Sequence, residues 1–346
     1  MPIDELITDL KPTDWLIKEL DERNTLSVTF GPPKSGKSFY EIDKALCIAH
    51  GIDFHGHEVT KGPVVYVAGE GHGGLRRRLA AWQIQHGVHG EIVPFAATSK
   101  RVLLMQPDEI QELAIELSGF ADAHGGINKI VVDTLARNMG GDENSTPDMN
   151  AFVDACDTYL RVPFGACVTI VHHSGRANEG RTRGSGALDG AIDQETGIAR
   201  DPHSKLITAS MKYAKEMEEA APLTFRLVGV DLPVLELDGT PIRSAVLEPA
   251  RPVEDVVSDA RPQVRKAFEW LQGEYIQMAD RLRKDGRDPA GALYEWTAWK
   301  KGTKAAGIWS GQDATFTRIS NEAEKSELVS RVGIHVKLAQ AANCDS

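Results

Sequence analysis

The sequence predicts an α/β protein in which a large domain on a twisted, mainly parallel sheet precedes a small helical module ending in a β-wing. Three observations predict it. Short β-branched runs alternate with helical stretches from Leu26 onward. The runs "VVYVA", "KIVV" and "CVTIV" are almost continuously apolar, as suits central parallel strands buried on both faces. Beyond a stretch rich in Pro, Asp and Arg, three helical segments lead into an alternating tail.

The elements follow in order. "LSVTF" is a strand that feeds a helix starting near Lys37. "PVVYVAGE" precedes a helix over Leu75–His86, and "KIVVDT" one over Asp148–Leu160. "CVTIVHH" runs into a segment rich in Gly and Arg. "SKLITASMKYAKE" and "APLTFRLVGVDLPVLEL" extend the sheet as antiparallel strands. Residues 1–248 form this domain, 249–262 a linker and 263–346 the small module. In the module, helices over Gln263–Arg283, Gly291–Lys301 and Gln312–Ser326 precede a hairpin in "ELVSRVGIHVKLA", the order of a winged helix. Its recognition helix presents Gln312, Thr315, Thr317 and Arg318 to DNA, and Trp296, Trp299 and Trp309 form its core.

Composition limits what the chain does. No apolar run approaches the roughly 18 residues that span a bilayer, and "MPIDELITDLKPTDW" is acidic where a signal peptide is basic and then apolar. Cys47, Cys156, Cys167 and Cys344 are too scattered for a metal pair and read as reduced thiols, so the expected location is cytoplasmic, with no membrane partner. A net charge of −11 argues against a broad face that grips nucleic acid. Any such contact is local, through loops or the small module, where residues 281–304 hold seven basic and three acidic side chains.

One stretch carries the chemistry. Gly31-Pro32-Pro33-Lys34-Ser35-Gly36-Lys37-Ser38 satisfies G-x-x-x-x-G-K-[ST] between a strand and a helix, with Phe39 next in the helix. The loop's N–H groups face the phosphates of ATP, Lys37 reaches the β- and γ-phosphates, and Ser38 ligates Mg²⁺. Glu70 ends the second strand, where a carboxylate can polarise an attacking water. Asp133 ends an apolar strand as an acid that packing does not explain, so it reads as the second Mg²⁺ ligand. His172 and His173 end the next strand, one of them a sensor of the γ-phosphate.

With these pieces assembled, residues 14–232 resemble the RecA-like P-loop ATPase core, and more narrowly the RepA-type plasmid and phage replicative helicases. The motifs are "GPPKSGKS", "VVYVAGEG", "KIVVDTLAR", "TIVHHSGR", "RGSGALDGAID" and "SMKYAKE". The resemblance implies a homo-oligomeric ring, a hexamer, with ATP between subunits and single-stranded DNA in the channel. It assigns Lys37, Ser38, Glu70, Asp133 and the histidine pair to catalysis, and Arg183 to the family's R-G-S motif. The strand after that motif lacks the family's arginine. Lys212 and Lys215 stand nearby as candidates for the cation that reaches a neighbour's γ-phosphate, although a lysine lacks the planar fork. Arg176, Arg181 and Arg183 are expected at DNA or at a subunit contact, and the C-terminal module at DNA, a primase or an origin-binding protein. A recombination or strand-annealing ATPase and a nucleotide-gated regulatory ring fit the same fold.

Overall fold

A computed structural model describes residues 3, 8, 12–69, 71–175, 185–202, 204–251, 253–285, 287, 293–326 and 328–338. The chain divides into two compact units. The first comprises Met1–Ala199, Ile207–Leu223 and Leu227–Pro249; the second comprises Arg200–Leu206, Thr224–Arg226 and Ala250–Ser346.

The first unit opens with a small pair of strands, β1 (Trp15–Ile17) and β2 (Asp21–Glu22). Its main strands are β3 (Leu26–Gly31), β4 (Val64–Ala68), β5 (Phe95–Ala97), β6 (Lys129–Asp133), β7 (Cys167–His173), β8 (Gln194–Arg200), β9 (Ile207–Ala214), β10 (Leu223–Leu235) and β11 (Pro241–Pro249). They form one nine-stranded sheet in the order β11-β10-β9-β8-β3-β7-β6-β4-β5. β3 pairs in parallel with both β7 and β8, and β6 in parallel with both β4 and β7. The connections β8–β9, β9–β10 and β10–β11 are too short for a parallel crossover, so that half of the sheet is antiparallel. Every residue of β3 and β4 is buried, as their unbroken apolar character requires.

Helices α1 (Lys37–His50), α2 (His72–Gln85), α3 (Pro107–His124), α4 (Leu135–Asn138), α5 (Thr146–Cys156) and α6 (Ala187–Ala191) connect these strands. The short α4 directly after β6 is absent from the expectations, and the helix expected from Asp148 begins at Thr146. The start of α5 is set by local chemistry. The Ser145 hydroxyl accepts from the Asp148 N–H, and proline stands in the first turn. Strand β8 is absent from the expectations, since "QETGIAR" hides its buried Gln194, Thr196 and Ile198 behind polar letters.

Beneath α1 lies a cluster of buried charges. Asp21 accepts from Lys44 Nζ at 2.5 Å through Oδ1 and from Lys129 Nζ at 2.6 Å through Oδ2. Lys129 also donates to Thr169 Oγ1 at 2.7 Å, and Thr29 Oγ1 donates to Glu41 at 2.6 Å. None of the three charged side chains at the centre is more than 3% exposed. His55 lies 2.6 Å from Asp43, which also accepts from the Trp82 indole at 2.6 Å. Cys47, Cys156 and Cys167 are buried, unbridged thiols.

The second unit contains α7 (Val253–Asp259), which falls within the stretch read as a linker, then α8 (Pro262–Lys284), β12 (Tyr294–Glu295), α9 (Trp296–Ala305), α10 (Asp313–Lys325), β13 (Val329–Val332) and β14 (His335–Leu338). β14 sits between β12 and β13 in a three-stranded sheet. Its core holds Phe268, Leu271, Trp299, Trp309, Phe316 and Ile319, with Trp296 packed partly buried against it. The buried indoles are satisfied: Trp299 donates to the Ala267 carbonyl at 2.9 Å, and Trp309 to Thr303 Oγ1 at 3.0 Å. Among the described residues, no helix is long and apolar enough to cross a membrane.

Candidate nucleotide-binding site

Parallel pairing brings four strand ends into line. Gly31 of β3 is in register with His173 of β7, Val171 of β7 with Asp133 of β6, and Asp133 with Ala68 of β4. The C-terminal ends of such strands border the crevice where an open α/β sheet takes its ligand.

The loop from Gly31 to Gly36 turns from β3 into α1. A side chain at Gly31 would put its Cβ 2.1 Å from the Ile198 carbonyl oxygen, so β8 packs too close for any other residue. Gly36 has φ of 108°, which a residue with a side chain rarely adopts. It caps α1 without any side-chain hydrogen bond, so the first N–H groups of a 14-residue helix meet no capping side chain. Pro33 and Lys34 are exposed and Pro32 is half-buried. The Ser35 hydroxyl is buried without a hydrogen-bond partner. An orphaned polar atom beside uncapped N–H groups fits an anion.

Lys37 is the first residue of α1 and only 5% exposed. Its Nζ donates to the carbonyls of Gly31 and Pro32, both at 2.8 Å, and lies 3.4 Å from His173 Nδ1. Burial pushes the ammonium pKa down to about 8, against the opposing pull of Asp133. A cation desolvated to this degree gains from a bound phosphate.

Asp133 accepts from the Tyr66 hydroxyl at 2.5 Å, and the Ser38 side chain lies close enough to favour its charged form. Burial raises its pKa, while Tyr66, Ser38, Arg78 and Lys37 all act in the opposite direction. Ser38 and Asp133 therefore share one spot with a hydroxyl and a carboxylate, a donor set that suits Mg²⁺. Among the described residues, no three His, Cys, Asp or Glu side chains gather as a metal cluster. Phe39, the next residue, turns its ring to the Arg78 guanidinium at 4.6 Å.

The structure separates the two histidines. His173 reaches Lys37, whereas His172 is fully buried in the sheet opposite Phe30. Lys212 is exposed on β9, its chain passing over Gly197 of β8. Lys215 is also exposed, but its Nζ is 3.5 Å from Asp193 of its own chain. Glu70, Arg176, Arg181 and Arg183 lie outside the described residues. Sequence reasoning misses Tyr66 and Arg78. The signal for Arg78 was there: in "LRRRLAAW" only that arginine shares a helical stripe with the buried Leu75 and Trp82.

A glycine-rich turn, an open helix N-terminus and a lysine beside a hydroxyl–carboxylate pair form a cradle for a nucleoside polyphosphate. On that parallel sheet, they define a P-loop ATPase consistent with a RecA-like core. The chain belongs to the AAA domain family, whose profile matches residues 1–179, just over half of its length. Among solved structures it is similar to one described as an ATPase domain, with 10% sequence identity and a TM-score of 0.47. That match covers 65% of this chain and 93% of the other. No curated protein matches the sequence.

Proposed function

We propose that the chain is an Mg²⁺-dependent ATP-hydrolysing DNA helicase of RepA type, closing into a homo-hexameric ring around single-stranded DNA. The observation that carries this reading is the 3.4 Å approach of His173 to Lys37. His173 ends β7, and the sequence continues from it directly into the stretch that bears Arg176, Arg181 and Arg183. A group that touches the phosphate-binding lysine is thus joined by a few residues to the arginines proposed to hold DNA or an adjoining subunit. This also answers the charge of −11, since a threaded strand is held by small loops.

The roles follow the geometry. The loop amides and Lys37 hold the phosphates, and Glu70 takes the proton of the attacking water. Ser38 and Asp133 would hold Mg²⁺, which when bound neutralises charge on the phosphates. His173 reports loss of the terminal phosphate to the segment that follows it, with His172 buried behind it as support. Lys212, exposed on β9, is the cation offered to a neighbouring subunit; Lys215 is the weaker candidate because Asp193 already engages it. The order α8-β12-α9-α10-β13-β14 supports a winged helix for the second unit. In its recognition helix, Thr317 and Arg318 are exposed, as is Gln312 just before it, while Thr315 is half-buried. Its partner is DNA, or a primase or origin-binding protein.

Two measurements test the proposal together: ATP hydrolysis with and without single-stranded DNA, and particle mass with a non-hydrolysable ATP analogue. Stimulation by the DNA and a six-fold mass are expected. A monomer that hydrolyses ATP at one rate regardless of DNA overturns the reading, and hydrolysis without displacement on a forked duplex removes the helicase step. Asp133→Asn keeps an acceptor for Tyr66 and loses the charge. It is expected to raise the Mg²⁺ concentration for half-maximal hydrolysis by about 10-fold or more, with little change in the melting temperature.

A further inference from the structure

Arg78 is the one arginine of the 76–78 run that turns inward. Leu75, Arg78 and Trp82 share one face of α2; the first and last are buried and Arg78 is half-buried, while Arg76 and Arg77 are exposed. Its guanidinium carbon lies 4.6 Å from the centroid of the Phe39 ring. Among the described residues it has no carboxylate within ion-pair distance and no hydrogen bond. A guanidinium packed on a ring still carries five N–H donors arranged to meet oxygens in pairs. Arg78 is thus a half-buried cation whose ring packing fixes the guanidinium while its donors stay open to solvent and to an anion that arrives there.

Its position says which anion. Phe39 directly follows Ser38, and the charge of Arg78 acts on both the Asp133 carboxyl and the Tyr66 hydroxyl. Arg78 therefore belongs to the carboxylate side of the cradle, at the ends of β4 and β6. The loop amides take the inner phosphates, which leaves the terminal one for this side.

We infer that Arg78 binds the terminal phosphate of the nucleoside triphosphate from within its own subunit, so that the site tells triphosphate from diphosphate before any neighbour contributes a cation. The inference rests on the phosphate-loop reading of Gly31–Ser38.

Titration with fluorescent N-methylanthraniloyl-ATP and N-methylanthraniloyl-ADP, each with Mg²⁺, tests it without reference to turnover. Arg78→Ala is expected to weaken the triphosphate by about 10- to 100-fold and the diphosphate by less than about threefold. Arg78→Lys should fall between, since a point charge replaces a fork. Equal weakening of both nucleotides, or of neither, overturns the inference and leaves Arg78 as packing for Phe39. A fall in melting temperature with unchanged affinity ratios overturns it equally. Lys37→Ala separates the two levels. If that variant binds like wild type, or wild type binds neither nucleotide, the phosphate-loop reading fails and takes this inference with it.

Discussion

Replacing Lys37 with alanine is expected to lower ATP turnover by about 100-fold or more, with the fold intact. The magnitude follows from what a fixed donor aimed at developing charge contributes in a water-poor site, about 10²- to 10³-fold per group. Lys37 is such a donor: it is the first residue of α1, nearly fully buried, with Nζ on two loop carbonyls and beside His173. Alanine is a good helix former, and each carbonyl keeps a second donor, the Ser174 N–H at Gly31 and the Ser35 N–H at Pro32, so stability should change little. The measurement is steady-state hydrolysis beside a melting curve. Near-normal turnover in a folded variant would remove Lys37 from the chemistry, and a collapsed melting temperature would make the loss of turnover uninformative. In the latter case, Lys37→Met, which keeps most of the apolar stem, gives the cleaner comparison.

Asp21→Ala is expected to cost about 3–5 kcal/mol of stability, a large share of the roughly 5–15 kcal/mol typical of a domain. The cost lies less in the lost contacts than in what they leave behind: Lys44 and Lys129 would be two ammonium groups, each at most 3% exposed, without their shared carboxylate. Glu41 remains near both, at 3.8 Å from Lys44 and 3.4 Å from Lys129, and limits the damage. Urea unfolding of the variant measures the loss, and a change under about 1 kcal/mol would show that the cluster relaxes freely.

The same cluster gives a pH signature. Burial alone would raise the Asp21 carboxyl, but Lys129 and Lys44 outweigh it and hold it below its ordinary 3.8. Burial likewise opposes the charge on Lys44 and Lys129, and Asp21 outweighs it, so both stand above 10.5. Asp21 thus stabilises the fold above pH 3.8, and that contribution is lost as the pH falls through its lowered value. The lysines stabilise it below pH 10.5, and theirs is lost as the pH rises through their raised values. Asp21→Ala should therefore lose most relative to wild type on the plateau between those limits and progressively less outside them.

What the sequence discloses depends on how far apart the cooperating residues lie. The phosphate loop is contiguous, so eight letters and their strand–helix setting suffice. Asp133 is legible because an acid at the end of an apolar strand lacks a packing reason. Its partner Tyr66 is not, since the two are separated by 67 positions and Tyr66 reads as one more apolar strand residue. The contact between Lys129 and Asp21 spans 108 positions, and both would pass for surface charges. Strand β8 escapes for a related reason: Gln194 is buried because its amide donates to the Leu20 carbonyl at 2.6 Å, a partner invisible from its neighbours. Helix α3 is also absent from the expectations, although Ile110, Leu113 and Leu117 repeat at plain helical spacing and need no distant partner.

The outermost strands of the large sheet also constrain how copies of the chain can join. β5 is only three residues long, and β11 begins and ends on proline, which has no N–H to offer. Neither margin makes a good template for backbone pairing with another molecule. In the proposed ring, side-chain contacts are then what would hold successive copies together, and such a ring should come apart on dilution or in salt while each sheet stays whole.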